Sequence, residues 1–317
     1  MLLFFSSGII VAQIWYFTPY DQLNHATTKP VSLSDRHHLL TRQLRASNRL
    51  LCLVLNRPGP KGALYRKIIA IAWGRECDSL YFAIGANTKF DDRSLPIFNP
   101  INQSISDHDR IGVIQLNVID SQFNVWMKMR AALRWVHRTQ MMKHHDWLVL
   151  VDDDSYVYVD NLRRFLFTKS VSTRAYFGLV SERLHIPSSA SLTLSAINFD
   201  RLMRVFYDDR LCAQRQQTHS ADVRLAECLR SAGIHADASS QIDAHGRFIF
   251  HHFSPTNMLR NKFDYWLKQY LHNGTLVQQD SNCCSDQSIG FHYLPPPIIH
   301  LMHFYHAIHP NLSVLQL

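Results

Sequence analysis

No dense run of lysine or arginine occurs in the 317-residue sequence, although its formal net charge is +8. Scattered basic charge gives no footprint for nucleic acid, and it suits a small phosphate-bearing ligand at least as well. No CxxC spacing occurs among the six cysteines, which argues against a metal–thiolate centre. Internal repeats and low-complexity tracts are also missing, so nothing indicates a repeat array. Charged residues are absent from Met1 to Tyr20, and Leu2 to Phe17 is mostly apolar. That stretch matches the ~20 residues a helix needs to cross a bilayer. It lacks both the basic start of a signal peptide and a small-residue cleavage site, so it reads as an uncleaved signal anchor. A polar, His-containing stem is expected from Asp21 to about Asn48, with the rest of the chain, 49–317, as one lumenal domain.

The composition that remains, 46% hydrophobic and 18% charged, is that of a globular protein. Cys52, Cys77, Cys212, Cys228, Cys283 and Cys284 form an even set behind a secretory-type start, which favours disulfides in an oxidising lumen. Sequons at Asn102, Asn273 and Asn311 agree with that compartment. Leu50 to Leu55 is a continuous apolar run stopped by Asn56-Arg57-Pro58-Gly59-Pro60, hence a buried strand and a turn. Helices are expected over Ala63–Trp73, Asn124–Lys143, Asn161–Phe167 and Asn198–Tyr207. Further strands are expected over Ser79–Ile84, Ile111–Val118 and Ala175–Val180, with Gly85–Asp109 as a loop. Alternating strands and helices predict an α/β domain, a parallel or mixed sheet wrapped by helices.

The chemistry concentrates at Trp147-Leu148-Val149-Leu150-Val151-Asp152-Asp153-Asp154. The apolar run reads as a strand buried on both faces of a parallel sheet. Its carboxyl end, where ligands gather in open α/β sheets, carries three carboxylates. Adjacent carboxylates repel one another, and a hard divalent ion such as Mg²⁺ or Mn²⁺, shared with substrate phosphates, holds such a group together. Tyr156 to Val159 follows as a second β-type run.

Four landmarks stand in order: Ala72-Trp73-Gly74 with Cys77; Asp152-Asp153-Asp154-Ser155-Tyr156-Val157 with Asp160-Asn161-Leu162; Asp222 ahead of Cys228; and Cys283-Cys284-Ser285-Asp286 with Phe291-His292-Tyr293. Together they resemble the core 1 β1,3-galactosyltransferase (T-synthase) group within family 31 of the glycosyltransferases, from about Asn48 to Ile308. The resemblance implies a GT-A fold, a single Rossmann-like domain behind a Golgi type II membrane anchor. It implies Mn²⁺ as cofactor, UDP-galactose as donor, an O-GalNAc glycoprotein as acceptor, and a homodimer. Asp154 is then the direct metal ligand, Asp152 a contact to ribose or metal-bound water, Asp153 a third acid at the nucleotide, and His292 a ligand from the C-terminal side. Alone, His292 reads equally as a satisfied buried imidazole.

Asp222 aligns with the second member of the family's acidic pair, which supplies the base, while the first member is Ala221 here. An Asp in a first helical turn also satisfies free backbone N–H groups and the helix dipole, and both readings stand. Trp126 resembles a family tryptophan near the nucleotide, and Tyr265-Trp266 the aromatic stretch of the acceptor pocket; core packing is the other reading for each. Sequence proximity pairs Cys52 with Cys77 and Cys212 with Cys228, with Cys283 and Cys284 as a vicinal pair, and leaves the connectivity open. Where the family carries Gly-Gly-x-Gly, this chain has Ser188-Ser189-Ala190-Ser191, whose side chains narrow the approach to a donor. A non-catalytic chaperone relative is the competing class; an intact acidic triplet speaks against it. His300, His303, His306 and His309 recur every three residues, which drifts by about 60° per step around a helix. They therefore do not share one face, and a tail at a surface or subunit contact is expected.

Overall fold

In the computed structural model the described residues are 33–88, 97–98, 110–180, 192–212, 221–237, 243–245, 247, 249–251 and 284–308. The chain divides into two units, 1–40 and 41–317, and the site lies wholly in the second. The expected anchor, the sequons, Ser188–Ser191, Tyr265, Trp266 and Cys283 lie outside the described residues. Among those described, no helix is long and apolar enough to cross a membrane.

Strands β1 (Leu50–Leu55), β2 (Ser79–Gly85), β3 (Ile97–Phe98), β4 (Ile111–Leu116), β5 (Trp147–Asp152), β7 (Ala175–Phe177), β8 (Leu192–Ser195) and β9 (His235–Ala236) form one mixed sheet. Their order is β3-β4-β2-β1-β5-β8-β7-β9. Strands β3, β4, β2, β1 and β5 run parallel, with helices crossing over from β1 to β2 and from β4 to β5, and Leu55 lies beside Asp152 at the carboxyl edge. Here the structure corrects one expectation. β5 has a parallel neighbour on one side only, because the short strand β8 pairs with it antiparallel on the other.

Alternation along the strands splits the core into two layers, as period-2 geometry requires. Leu51, Leu53, Leu148 and Leu150 face α3 (Val125–Arg138), α5 (Ala196–Phe206) and α6 (Ala221–Ser231). Leu50, Cys52, Val54, Trp147, Val149 and Val151 face α2 (Gly59–Ile71), α4 (Val159–Phe167) and the C-terminal α7 (Pro296–Ile308). Within the segment expected as a stem, Leu33–Ser47 is a helix, α1. This layered mixed sheet is consistent with a GT-A, Rossmann-like fold.

Two boundaries differ for local reasons. The β-type run after the acids yields only β6 (Tyr156–Val157), because only those residues find a partner, β10 (Gly290–Phe291), in a small antiparallel sheet. Val159 already starts α4. The expected helix over Asn124–Lys143 is α3 flanked by two 3₁₀ turns, Gln122–Asn124 and Met141–Lys143; Gln140 with φ of 55° breaks it. The disulfides Cys52–Cys77 and Cys212–Cys228 are formed. Cys284 is also disulfide-bonded.

Candidate functional site

The parallel strands end in a buried polar network. Asp120 accepts from the Gly85 N–H (2.7 Å) and the Thr88 hydroxyl (3.1 Å), and it pairs with Lys128 of α3. Lys128 also donates to the Asn56 carbonyl at the end of β1 (2.8 Å). Polar groups that deep need full hydrogen bonding, and here each draws on a different strand end, so the edge is held rigidly. The Asn56-Arg57 turn packs closely on α2, where a Cβ at Gly62 would collide with the Arg57 carbonyl oxygen.

The three acids divide between two tasks. Asp153 turns inward and is buried. One of its oxygens accepts from the Asn56 amide (2.8 Å) and the Arg57 backbone N–H (2.7 Å), the other from Arg57 Nε (2.7 Å). Asp152 and Asp154 turn toward His292. His292 Nε2 lies 3.0 Å from Asp154 Oδ1 and 3.6 Å from Asp152 Oδ2. One ligand atom from each of the three lies within 4.8 Å of the others. Two carboxylates and an imidazole from separate elements make a donor set that fits a divalent ion.

His292 arrives there through the β6–β10 pair, which lays Phe291 beside Tyr156. The next residues are held on both sides: Leu294 N–H donates to the Asp154 carbonyl (2.9 Å), and Tyr65 donates to the Leu294 carbonyl (2.9 Å). Between them Tyr293 takes φ of 54°, a costly angle for a tyrosine, and stacks its ring on His292 at 4.1 Å. The first and last landmarks of the sequence meet here as well. Trp73 donates to the Ser155 carbonyl (3.1 Å), and the Asn161 amide donates to the Asp286 and Ser288 carbonyls (3.1 and 2.9 Å).

Burial pushes the Asp154 carboxyl up, but hydrogen bonds and charge from His292 and Arg57 outweigh it and hold it at about 2. His292 is the mirror case. Burial disfavours its imidazolium, yet Asp154, then Asp152 and Asp222, leave it raised. For Asp153 burial prevails over Arg57 and the carboxyl is raised. Arg57 bridges the triplet, 2.7 Å from Asp153 and 2.8 Å from Asp154. In the sequence Arg57 reads only as part of a turn; a cation two residues past a continuous apolar strand was the available signal.

Asp222 stands in the first turn of α6, near enough for its charge to be felt at His292. The Trp126 ring is fully buried, edge-on to Phe206 and under Arg130, so what the structure shows for it is core packing.

His251 supports β10 from behind, and it makes acid stability predictable. It is buried, stacked on Phe291 at 4.3 Å, with Nε2 2.9 Å from the Ser288 hydroxyl. Burial lowers its pKa to about 3, against roughly 6.5 in an unfolded chain. The unfolded state therefore takes up the proton first as pH falls, and folding stability drops through the window from about 6.5 to 3. Between pH 6.5 and 4.5 this amounts to about 2–3 kcal/mol. In urea titrations over that range, His251→Phe should flatten the pH dependence; an unchanged slope would assign the acid sensitivity elsewhere.

Carboxylates and an imidazole gathered at the carboxyl end of a central strand stand where open α/β sheets collect their ligands, and they form a group able to hold a divalent ion. Comparison with known proteins narrows the class. Residues 104–200 match the Fringe-like family model. The chain is also 24% identical over 275 residues to glycoprotein-N-acetylgalactosamine 3-beta-galactosyltransferase 1 of Xenopus laevis, covering 84% of this chain and 68% of that protein. The resemblance read from the landmarks is thus found again over most of the chain, and it supports a glycosyltransferase.

Proposed function

We propose that this chain transfers galactose from UDP-galactose to O3 of GalNAc α-linked to Ser or Thr, with inversion, using Mn²⁺. The observation that carries the proposal is the convergence of Asp152, Asp154 and His292 at the end of β5, in a chain similar to a galactosyltransferase. These three residues would hold the ion, which when bound offsets the charge building on the UDP leaving group. Arg57, already against Asp154, adds positive charge where the donor's phosphates belong. Asp153 keeps Arg57 in place. Asp222 takes the proton of the acceptor hydroxyl, on the face opposite the leaving group. Tyr265 and Trp266 are proposed to shape the acceptor pocket. The disulfides support an oxidising compartment, and the proposal places the domain in the Golgi lumen behind the Met1–Tyr20 anchor, as a homodimer.

The test is Mn²⁺-dependent transfer from UDP-galactose to a GalNAc-α-Thr peptide. Asp222→Asn should lower kcat by about 10²–10⁴-fold, the worth of a general base, while Mn²⁺-dependent UDP binding stays intact. Equal kcat in that variant removes Asp222 from the chemistry. Wild-type protein that binds Mn²⁺ and UDP but leaves galactose untransferred would redirect the proposal to another sugar or acceptor. Absence of both binding and transfer would favour the chaperone class.

A further inference from the structure

A second meeting of carboxylate and imidazole side chains shares no residue with the first. Glu76 ends the 3₁₀ turn Trp73–Glu76, beside the Cys52–Cys77 disulfide; Asp160 stands in the first turn of α4; His306 is in the last turn of α7. One ligand atom from each lies within 4.8 Å of the others, and all three residues are half-buried. The histidines of α7 do not act as a stripe, as their spacing indicated. His300 is exposed and His303 reaches toward the Tyr156 hydroxyl (3.5 Å), which leaves His306 alone to face the two acids.

Nearby arginines do not neutralise the pair by direct contact. Arg163 spends its hydrogen bonds on the Asn48 and Glu76 carbonyl oxygens and on the Asp78 carboxylate, and Arg45 donates to the Glu76 carbonyl (3.4 Å). Among the described residues, neither the Glu76 nor the Asp160 carboxylate is in an ion pair with Lys or Arg. The imidazole is fixed independently, because the His306 ring stands edge-on to Tyr158 at 5.3 Å. Two carboxylates and one imidazole, brought from three elements far apart in sequence, form the donor set of a borderline divalent ion with water completing the shell. Affinity for such a site rises from Mn²⁺ to Zn²⁺.

We propose that Glu76, Asp160 and His306 form a second divalent-cation site, structural in role, which takes Zn²⁺ in preference to Mn²⁺. An ion there would fasten α7 to the start of α4 and to the disulfide-linked turn. Since α7 follows His292 and α4 follows the acidic triplet, the fastening would steady both halves of the first site from outside it.

The experiment is calorimetric titration of Zn²⁺ and Mn²⁺ into the full chain carrying Asp154→Ala, which disables the first site, with thermal melts alongside. The expected result is about one equivalent of Zn²⁺ bound tighter than Mn²⁺, and a Tm that rises with Zn²⁺. Adding His306→Ala or Glu76→Gln should weaken Zn²⁺ by at least the ~10–100-fold that loss of even an outer-shell partner costs, and abolish the Tm response. Glu76→Gln keeps the side-chain shape and decides the matter if His306→Ala does not fold. Absence of Zn²⁺ binding in the Asp154→Ala protein overturns the proposal, as does binding that both added substitutions leave unchanged.

Discussion

Asp154→Ala is expected to abolish Mn²⁺-dependent UDP binding and to lower transfer by about 10³-fold or more, equivalent to about 4 kcal/mol of transition-state stabilisation. The substitution removes the carboxylate that His292 approaches at 3.0 Å, and it leaves only Asp152 and an imidazole to hold the ion. The fold should survive. Arg57 keeps its bonds to Asp153, and Leu294 keeps the Asp154 carbonyl, which is backbone. The check is UDP affinity measured with and without Mn²⁺, beside far-UV circular dichroism and a thermal melt. Mn²⁺-dependent affinity equal to that of the wild type would remove the metal-site reading.

The neighbouring substitution, Asp153→Ala, should have the opposite profile. It strands one N–H of the Asn56 amide, whose other bond to the Gly62 carbonyl remains, together with the Arg57 backbone N–H and one side of the Arg57 guanidinium. Removing one partner of a buried, hydrogen-bonded ion pair costs about 3–5 kcal/mol. Arg57 is about one-third exposed and retains Asp154, so a loss of roughly 2–4 kcal/mol is expected here. Urea denaturation gives the stability, and UDP binding well below the new transition gives the function. Undiminished stability with lost UDP binding would return Asp153 to the nucleotide, where the resemblance had put it. The two outcomes together would separate, between adjacent aspartates, holding the fold from holding the ligand.

Much of this was legible in the residues. Leu50–Leu55 and Trp147–Val151 announced buried strands, because a strand covered on both faces needs apolar residues at every position. The acidic triplet at the end of one of them marked the carboxyl edge as the place for chemistry. Less legible were elements whose existence depends on partners. β8 has four residues and exists as a strand because it sits between β5 and β7. Tyr156–Val159 has β-type composition, but Gly290–Phe291 offers pairing to only half of it.

By itself, the sequence determined the class of fold, the strand bearing the acids and the chemistry those acids suit, since burial pattern and donor type are carried by the residues themselves. Only the tertiary structure decided which acid does what. It turned Asp153 inward to Arg57, set Asp152 and Asp154 against His292, and gathered Glu76, Asp160 and His306 into a group of their own. His292 and Asp154 are 138 residues apart, and no periodicity spans such a separation. Their meeting comes from the register of a two-stranded sheet and from the backbone turns on either side of it.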